Sequence, residues 1–478
     1  MTRDPQRVFT MADQHAFAEA SGDRNPIHLD PEAARRTLAG APVAHGVHVL
    51  LWALETALAD GLLDTPIEAL RVSFQKFVHL DQPVTLHRAP DAAGGGLEVR
   101  AAGQVAVTAR TVANAPGEAE ALAQAALTDT PLGAEPRVLS AAEIDGAQGW
   151  LAPVSAAATL PGSFPRLAAA LGAERLGAIA LLSTLVGMVC PGRDSIFSNL
   201  DLRITPAAGP RAGVGWRARR ADPRYPRVDL AAAGSGIAAD LRALIRPGPV
   251  PPPTPETVAE LVRPGEFAGR RALIIGGSRG LGAATALLLA AGGGEATLTY
   301  ASGREDAEAL VAAIEARGGP GGARALRCDV REPFDAALLA ALARATHVYY
   351  FATPHIHRQS AGVFSREAFD AFVDIYVVRF EALCRQALAA TAGRPLDILY
   401  PSTVAISERP RGMTEYAMAK SAGEILCQDL ARAAPGLSVT TPRLPRVLTD
   451  QTAIAIPVRS ERAEAVMLPL LRAERTPG

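Results

Sequence analysis

The sequence predicts two segments of different class, an N-terminal α+β half and a C-terminal α/β half built on a doubly wound parallel sheet. Three observations carry this reading. A strand, a glycine turn and a helix follow one another between Ala272 and Gly282. A long apolar helix followed by alternating strands fills the chain up to Val112. Between the halves lies Arg246-Pro-Gly-Pro-Val-Pro-Pro-Pro-Thr-Pro255, a run that favours extended polyproline geometry and serves as a semi-rigid spacer.

The bulk properties bound the answer. At 478 residues the chain exceeds one ordinary domain, and two or three are expected. Hydrophobic residues make up 49%, enough for sizeable cores, and a net charge of −1 gives no electrostatic case for nucleic acid or an anionic membrane. Cys190, Cys328, Cys384 and Cys427 are scattered without metal-ligand spacing, so no metal site is expected and the thiols read as reduced and cytoplasmic. The start, Met1-Thr-Arg-Asp-Pro5, lacks the apolar core of a signal peptide. The apolar stretch from Leu176 to Cys190 is broken by Gly177, Ser183, Thr184 and Gly187, which favours a buried helix over a membrane span.

In chain order, Met11 to Glu19 has helical spacing and Ser21 to His28 interrupts it. A short helix follows at Pro31 to Arg36, and Ala44-His-Gly46 opens a longer apolar helix from Val47 to Ala59. Leu70 to Val78, Val84 to His87, Leu97 to Arg100 and Gln104 to Val112 alternate as strands do. A helix followed by antiparallel strands describes a sheet wrapped around a helix.

The loop Gly22-Asp-Arg-Asn-Pro-Ile-His28, followed by a helix opening at Ala44-His-Gly46, resembles the signature of the MaoC-like and (R)-specific enoyl-CoA hydratases, which have the hotdog fold. The spacing places an acid and a base on one loop stiffened by Pro26, where both reach one water. The resemblance implies that Asp23 orients or deprotonates the water and His28 handles the proton at the neighbouring carbon. Asn25 positions the loop, and the first amides of the helix at Gly46 hold the thioester oxygen. His45 and His48 read as packing or capping residues. The hydratase domain is placed at 1–115.

An Ala/Gly/Pro-rich connector runs from Asn114 to Pro136, and then the pattern partly repeats. A helical segment from Phe164 to Met188 precedes strands at Ser195 to Ile204, Gly213 to Arg219, Arg227 to Ala232 and Ile237 to Leu244. This suggests a second, non-catalytic hotdog-like unit at 137–245, giving a double hotdog. It lacks the Asp-x-Asn-Pro-x-His loop and is expected to complete the sheet and shape the acyl tunnel. The linker is placed at 246–264 and the nucleotide domain at 265–478.

In Ala272-Leu-Ile-Ile-Gly-Gly-Ser-Arg-Gly-Leu-Gly282 the apolar run is a buried parallel strand. Gly276 permits the turn, Gly280 admits a pyrophosphate to the backbone, and Gly282 packs the helix on the strand. By itself a glycine triplet also fits a plain turn. Tyr416-Ala-Met-Ala-Lys420 puts a phenol and an ammonium one helical turn apart, where the ammonium favours the phenolate.

Together the two segments resemble the short-chain dehydrogenase/reductase family, with Ile275 in place of the usual threonine and a Rossmann-type sheet implied. The resemblance makes Tyr416 the proton donor and Lys420 the residue that lowers its pKa. The partnering hydroxyl is Ser402, thirteen-to-fourteen spacing leaving Thr403 as the close alternative. It assigns Gly276, Ser278, Arg279, Gly280, Leu281 and Gly282 to the cofactor loop, Asp329 to the adenine and Thr449 to the nicotinamide side. No acid ends the second strand, Ala296 to Tyr300, so Arg279, Ser302 and Arg304 are expected to hold a 2′-phosphate, and the cofactor is expected to be NADP(H). Further departures from the family are Val348-Tyr-Tyr-Phe-Ala-Thr-Pro354, which sits where it has Asn-Asn-Ala-Gly, and Tyr376, which stands near its active-site asparagine.

The combined reading is a fused reductase and dehydratase of acyl thioesters, carried on coenzyme A or acyl carrier protein, and a homo-oligomer. The same pair run oxidatively is one alternative, and a hydratase with a degenerate nucleotide-binding scaffold is another.

Overall fold

The computed structural model describes residues 4–89, 96–113, 118–206, 211–222, 225–354, 356, 364–434, 436–453 and 458–474. The chain divides into two compact units, the first ending at Gly248 and the second beginning at Pro249.

The first unit is organised by one ten-stranded antiparallel sheet. Its strands are β1 (Gln6–Val8), β2 (Ala69–Phe74), β3 (Pro83–Arg88), β4 (Gly96–Ala101), β5 (Gln104–Thr111), β6 (Gln148–Leu151), β7 (Ser195–Ile204), β8 (Val214–Asp222), β9 (Tyr225–Gly234) and β10 (Ile237–Ile245). Their order is β1-β3-β4-β5-β2-β7-β10-β9-β8-β6. Read outward from the β2–β7 seam, both halves run second, fifth, fourth, third, first strand. The partial repeat in the sequence is therefore a repeat of topology.

Each half places a buried helix between its first two strands. In the first it is Gly46–Ala59, whose Val47, Leu50, Leu51 and Leu54 are fully buried. Truncating one such leucine to alanine costs about 2–5 kcal/mol. In the second half the expected single helix is broken at Gly172 into Pro165–Leu171 and Ala173–Thr184. A π-helical turn, Leu185–Val189, then closes it, with Cys190 N–H donating to Leu185 O at 2.8 Å. Among the described residues no single helix is long and apolar enough to cross a membrane.

Two expected boundaries move. Part of the Ala/Gly/Pro-rich connector is ordered as a 3-10 helix, Glu118–Gln124, whose Ala119 and Leu122 pack on Ala231, Ala233 and Ala238 of β9 and β10. Residues 114–117 lie outside the described residues. The predicted linker ends in a helix, Pro255–Leu261, capped by Thr254, and its Val258 is buried with Phe267 in the second unit's core.

The second unit holds β11 (Arg271–Ile275), β12 (Glu295–Tyr300), β13 (Gly322–Arg327), β14 (His347–Tyr350), β15 (Leu396–Leu399), β16 (Ser402–Thr403), β17 (Leu437–Thr440) and β18 (Arg443–Leu444). Six form a sheet in the order β13-β12-β11-β14-β15-β17, with every pairing parallel. This is the 3-2-1-4-5-6 order of a dinucleotide-binding sheet. Strand order reverses between β11 and β14, and the glycine turn opens there.

Candidate active sites

In the first unit the Met11–Ser21 helix ends at Gly22, and the chain turns into the Asp23–His28 loop. Asn25 caps the short helix Pro26–Leu29 by accepting from Ile27 N–H at 3.2 Å. Its amide also donates to Gly187 O at 2.8 Å and Arg193 O at 3.2 Å, both between the second half's buried helix and β7. Asn25 therefore rivets the loop to the repeat.

Asp23 is 2% exposed. One oxygen, Oδ2, accepts from Ser183 Oγ at 2.6 Å, and Oδ1 accepts from Asn25 N–H at 3.2 Å. Burial pushes its pKa above the ordinary carboxylate value, opposed by His28, Ser183 and the Asn25 amide. The carboxylate also lies against Gly187 of the π-helical turn. A Cβ there would stand 2.5 Å from Oδ1, so only glycine fits. Thr184 donates to Ser21 O at 2.6 Å and holds the start of the same loop. Sequence reasoning missed Ser183, Thr184 and Gly187, because they are about 160 residues from Asp23 along the chain.

His28 Nδ1 lies 2.8 Å from Val43 O, which fixes that nitrogen as the donor and leaves Nε2 with its lone pair. Burial lowers its pKa despite Asp23 nearby, so the ring is neutral at neutral pH. Its ring stacks on that of His45 with centroids 3.8 Å apart. A carboxylate oxygen of Asp23 and one ring nitrogen each of His28 and His45 lie within 4.8 Å of one another, a distance one water spans.

His45 and His48 serve packing. The backbone N–H of His45 donates to Gln14 Oε1 at 3.0 Å, and its ring bridges Gln14 Oε1 and Asp23 O at 2.9 and 3.0 Å. His48 stacks on Phe17 with its pKa pushed down to about 3 by burial. Gly46 starts its helix beside the Asp23–His28 loop, its Cα facing Phe74. A helix start leaves amides without intrahelical partners, the groups an oxyanion needs.

In the second unit the cofactor loop is built as the glycine spacing requires. Gly276 has φ 76° and its N–H donates to Thr299 Oγ1 at 3.1 Å. Thr299 on β12 thus secures the turn where the chain itself carries Ile275. A Cβ on Gly282 would stand 2.2 Å from Gly276 O, so the helix Gly280–Ala291 packs directly on the turn. Ser278 and Leu281 flank this approach half-buried, and Thr449 lies over Gly280.

The charged neighbours differ from expectation. Arg279 lies between the glycine loop and the helix after β12, paired with Asp450 at 2.6 Å and Asp306 at 3.5 Å. No acid ends β12 itself, but Asp306 brings one from the first turn of the helix Arg304–Arg317. Ser302 is exposed, and Arg304 is exposed and pairs with Glu308 at 2.6 Å, away from Arg279. Asp329 is held by Arg331 at 2.6 Å, which lowers its pKa.

Tyr416 and Lys420 lie on the helix Thr414–Ala433. The two candidate hydroxyls have different partners. Ser402 donates to Glu424, which is itself paired with Arg443 at 2.8 Å. Thr403 is the hydroxyl that acts on the Tyr416 phenol, opposing the rise in its pKa, and it accepts from Ala405 N–H at 3.1 Å. The reason is strand alternation: β16 points successive side chains to opposite sides. Burial raises the Tyr416 pKa, and Thr403 opposes that rise. Lys420 is buried and donates to Pro401 O at 2.7 Å. Burial pushes its pKa down to about 7. Tyr376 sits in a second π-helical turn, Asp374–Arg379, and its hydroxyl meets Thr353 at 2.5 Å.

Comparison with known proteins agrees with this architecture. Residues 1–90 match the family model described as MaoC like domain, and residues 270–458 match the one described as short chain dehydrogenase. The chain joins a MaoC-like domain to a short chain dehydrogenase domain. A 3-hydroxybutyryl-CoA dehydratase of Methylorubrum extorquens is 42% identical over 48 residues, 10% of this chain and 31% of the relative. The match thus spans about a third of that relative's length. Among solved structures, a short chain dehydrogenase from Burkholderia cenocepacia J2315 in complex with NADP is 28% identical. It covers 43% of this chain and 90% of its own, with a TM-score of 0.36. A 3-oxoacyl (acyl-carrier-protein) reductase from Agrobacterium tumefaciens C58 with NADP bound is 22% identical, covers 43% and 87%, and has a TM-score of 0.37.

Proposed function

We propose that the chain is a bifunctional acyl-thioester enzyme. Its C-terminal domain reduces a 3-oxoacyl thioester to the (R)-3-hydroxyacyl thioester, and its N-terminal double hotdog removes water reversibly to give the trans-2-enoyl thioester. The observation that carries the reading is the buried Asp23 carboxylate beside the half-buried His28 ring, with ligating atoms within 4.8 Å of each other near a helix start.

In hydration, Asp23 and the Nε2 lone pair of His28 engage the same water. One takes its proton as the oxygen adds at C3, and the proton returns at C2. The helix opening at Gly46 presents amides to the thioester oxygen as charge develops there. Such a donor is worth about 10²–10³-fold in rate. In the other domain Tyr416 protonates the carbonyl oxygen, Thr403 orients that oxygen, and the Lys420 charge favours the phenolate left behind.

The residues present fit a dinucleotide: Gly276, Gly280 and Gly282 with the helix start receive the pyrophosphate, and Asp329 and Thr449 flank it. When bound, the nicotinamide supplies the hydride. Arg279 supports NADP(H), because its guanidinium stands between the glycine loop and the end of β12. Coenzyme A or acyl carrier protein is the proposed carrier. All four cysteines are free thiols, as a cytoplasmic protein would have them.

One observation favours a second reading. Asp306 beside Arg279 is the kind of acid that binds ribose hydroxyls, which would suit NAD(H) and oxidative use of the pair. Titrating the full chain with NADPH and NADH separates the two: tighter NADPH is expected, and equal or tighter NADH favours oxidation. For the hydratase, Asp23→Asn and His28→Ala should each abolish hydration of crotonyl-CoA in a folded protein. Activity retained in both would overturn the assignment.

A further inference from the structure

Of the 48 lysines and arginines in the chain, only Lys76 and Lys420 are lysine. Lys420 is housed unusually. Apart from its bond to Pro401 O, its close neighbours are ring faces: Nζ lies 3.8 Å from the centroid of Tyr376 and 4.6 Å from that of Tyr400. Among the described residues no carboxylate pairs with it.

Both rings are locked in that attitude. The Tyr376 hydroxyl is held by Thr353, and the Tyr400 hydroxyl donates to Tyr376 O at 3.1 Å. The adjacent carbonyl of the same π-helical turn, Ile375 O, accepts from Tyr350 at 2.7 Å. The helix carrying Lys420 makes room for this. A Cβ on Gly423 would stand 2.1 Å from the Tyr400 hydroxyl, so a side chain there would expel the ring. Tyr376 also meets Tyr416 edge-on, with centroids 5.9 Å apart and planes at 71°.

We propose that Tyr376 and Tyr400 form an aromatic cage that holds the Lys420 ammonium by its ring faces and so positions the lysine for Tyr416. The consequence for turnover rests on the reductase reading above; the cage itself does not. A cation over an aromatic face gains most where water is excluded, and this site is buried. The groups facing Lys420 are Tyr416 and Cys427 on its own helix, Tyr376 from the π-helical turn, and Tyr400 and Pro401 O after β15. Burial drives the ammonium toward its neutral form, and Cys427 opposes that. The ring faces act in the same sense as Cys427. Tyr376 therefore serves the lysine by charge and shape.

The test uses the full chain with Lys76→Arg, which leaves Lys420 as the sole lysine. Isotope-labelled lysine then reports one side-chain titration by NMR. Tyr376→Phe keeps the ring, and the Lys420 pKa should stay near that of the parent. Tyr376→Leu should lower it by about one unit or more. Because the leucine variant risks misfolding, fluorinated phenylalanines at 376 supply a near-isosteric series. Each added fluorine weakens the ring face and should lower the pKa stepwise. A pKa indifferent to fluorination overturns the cage. Absence of NADPH-dependent reduction in the Lys76→Arg parent would instead refute the reductase reading, while the titration, which needs no turnover, still decides the cage.

Discussion

Replacing Ser183 with alanine removes one hydrogen bond from the proposed catalytic carboxylate and leaves the catalytic loop itself untouched. The bond runs 2.6 Å from Ser183 Oγ to Asp23 Oδ2, inside a site where both residues are buried. Burial raises the Asp23 pKa, and the Ser183 hydroxyl is one of the groups holding it down. A hydrogen bond to a buried charged group contributes about 1.5–3 kcal/mol, so its loss cuts the ionised fraction by about 10- to 100-fold on the acid limb. Ionised Asp23 is the proton-accepting form. The acid limb of crotonyl-CoA hydration should therefore move to higher pH in Ser183→Ala. The rate should fall by that factor on the limb and recover toward the parental plateau in alkaline buffer. Initial rates of enoyl-thioester consumption across the pH range measure this. An unmoved limb with an unchanged rate would refute the idea that Ser183 tunes the Asp23 carboxylate.

Asp23→Asn should abolish hydration yet raise the Tm at neutral pH. A carboxylate whose folded pKa is raised stabilises the fold fully only below its unfolded value of 3.8 and loses that contribution as pH rises through the folded value. The Tm advantage of the variant should therefore shrink toward zero in acid, as thermal melts at several pH values would show. Thr403→Ala should lower 3-oxoacyl thioester reduction by about 10²-fold, the cost of one donor to a developing charge. Ser402→Ala, which breaks only the Glu424 contact, should cost far less, and the reverse ranking in a steady-state assay would restore Ser402 to the role. Gly282→Ala places a Cβ 2.2 Å from Gly276 O and should abolish NADPH binding by fluorescence titration while hydration persists.

Much of both candidate sites was legible because it is local. The Asp23–His28 loop and the glycine turn each hold their working groups within seven residues of chain, and Tyr416 and Lys420 are a single helical turn apart. Backbone geometry alone then brings the groups together. Even so, the same short-range reasoning left the reductase hydroxyl between Ser402 and Thr403. Choosing between Ser402 and Thr403 required the facing of a two-residue strand, which depends on its pairing with Arg443 and Leu444.

Most strands, the parallel sheet and the positions of the Asp23–His28 loop and the glycine turn could be read from the chain alone, since each follows from periodicity or from residues adjacent in sequence. Only the tertiary structure decided what surrounds them. Ser183, Thr184 and Gly187 reach the Asp23–His28 loop from about 160 residues away, through two hydrogen bonds and the close approach of Gly187 to the Asp23 carboxylate. Asp306 and Asp450 meet at Arg279, and two tyrosines from separate elements enclose Lys420. The physical reason is common to all of these. The pKa of a buried charge is set by burial and by groups within a few ångströms of it, and those neighbours come from whichever parts of the chain the fold packs there.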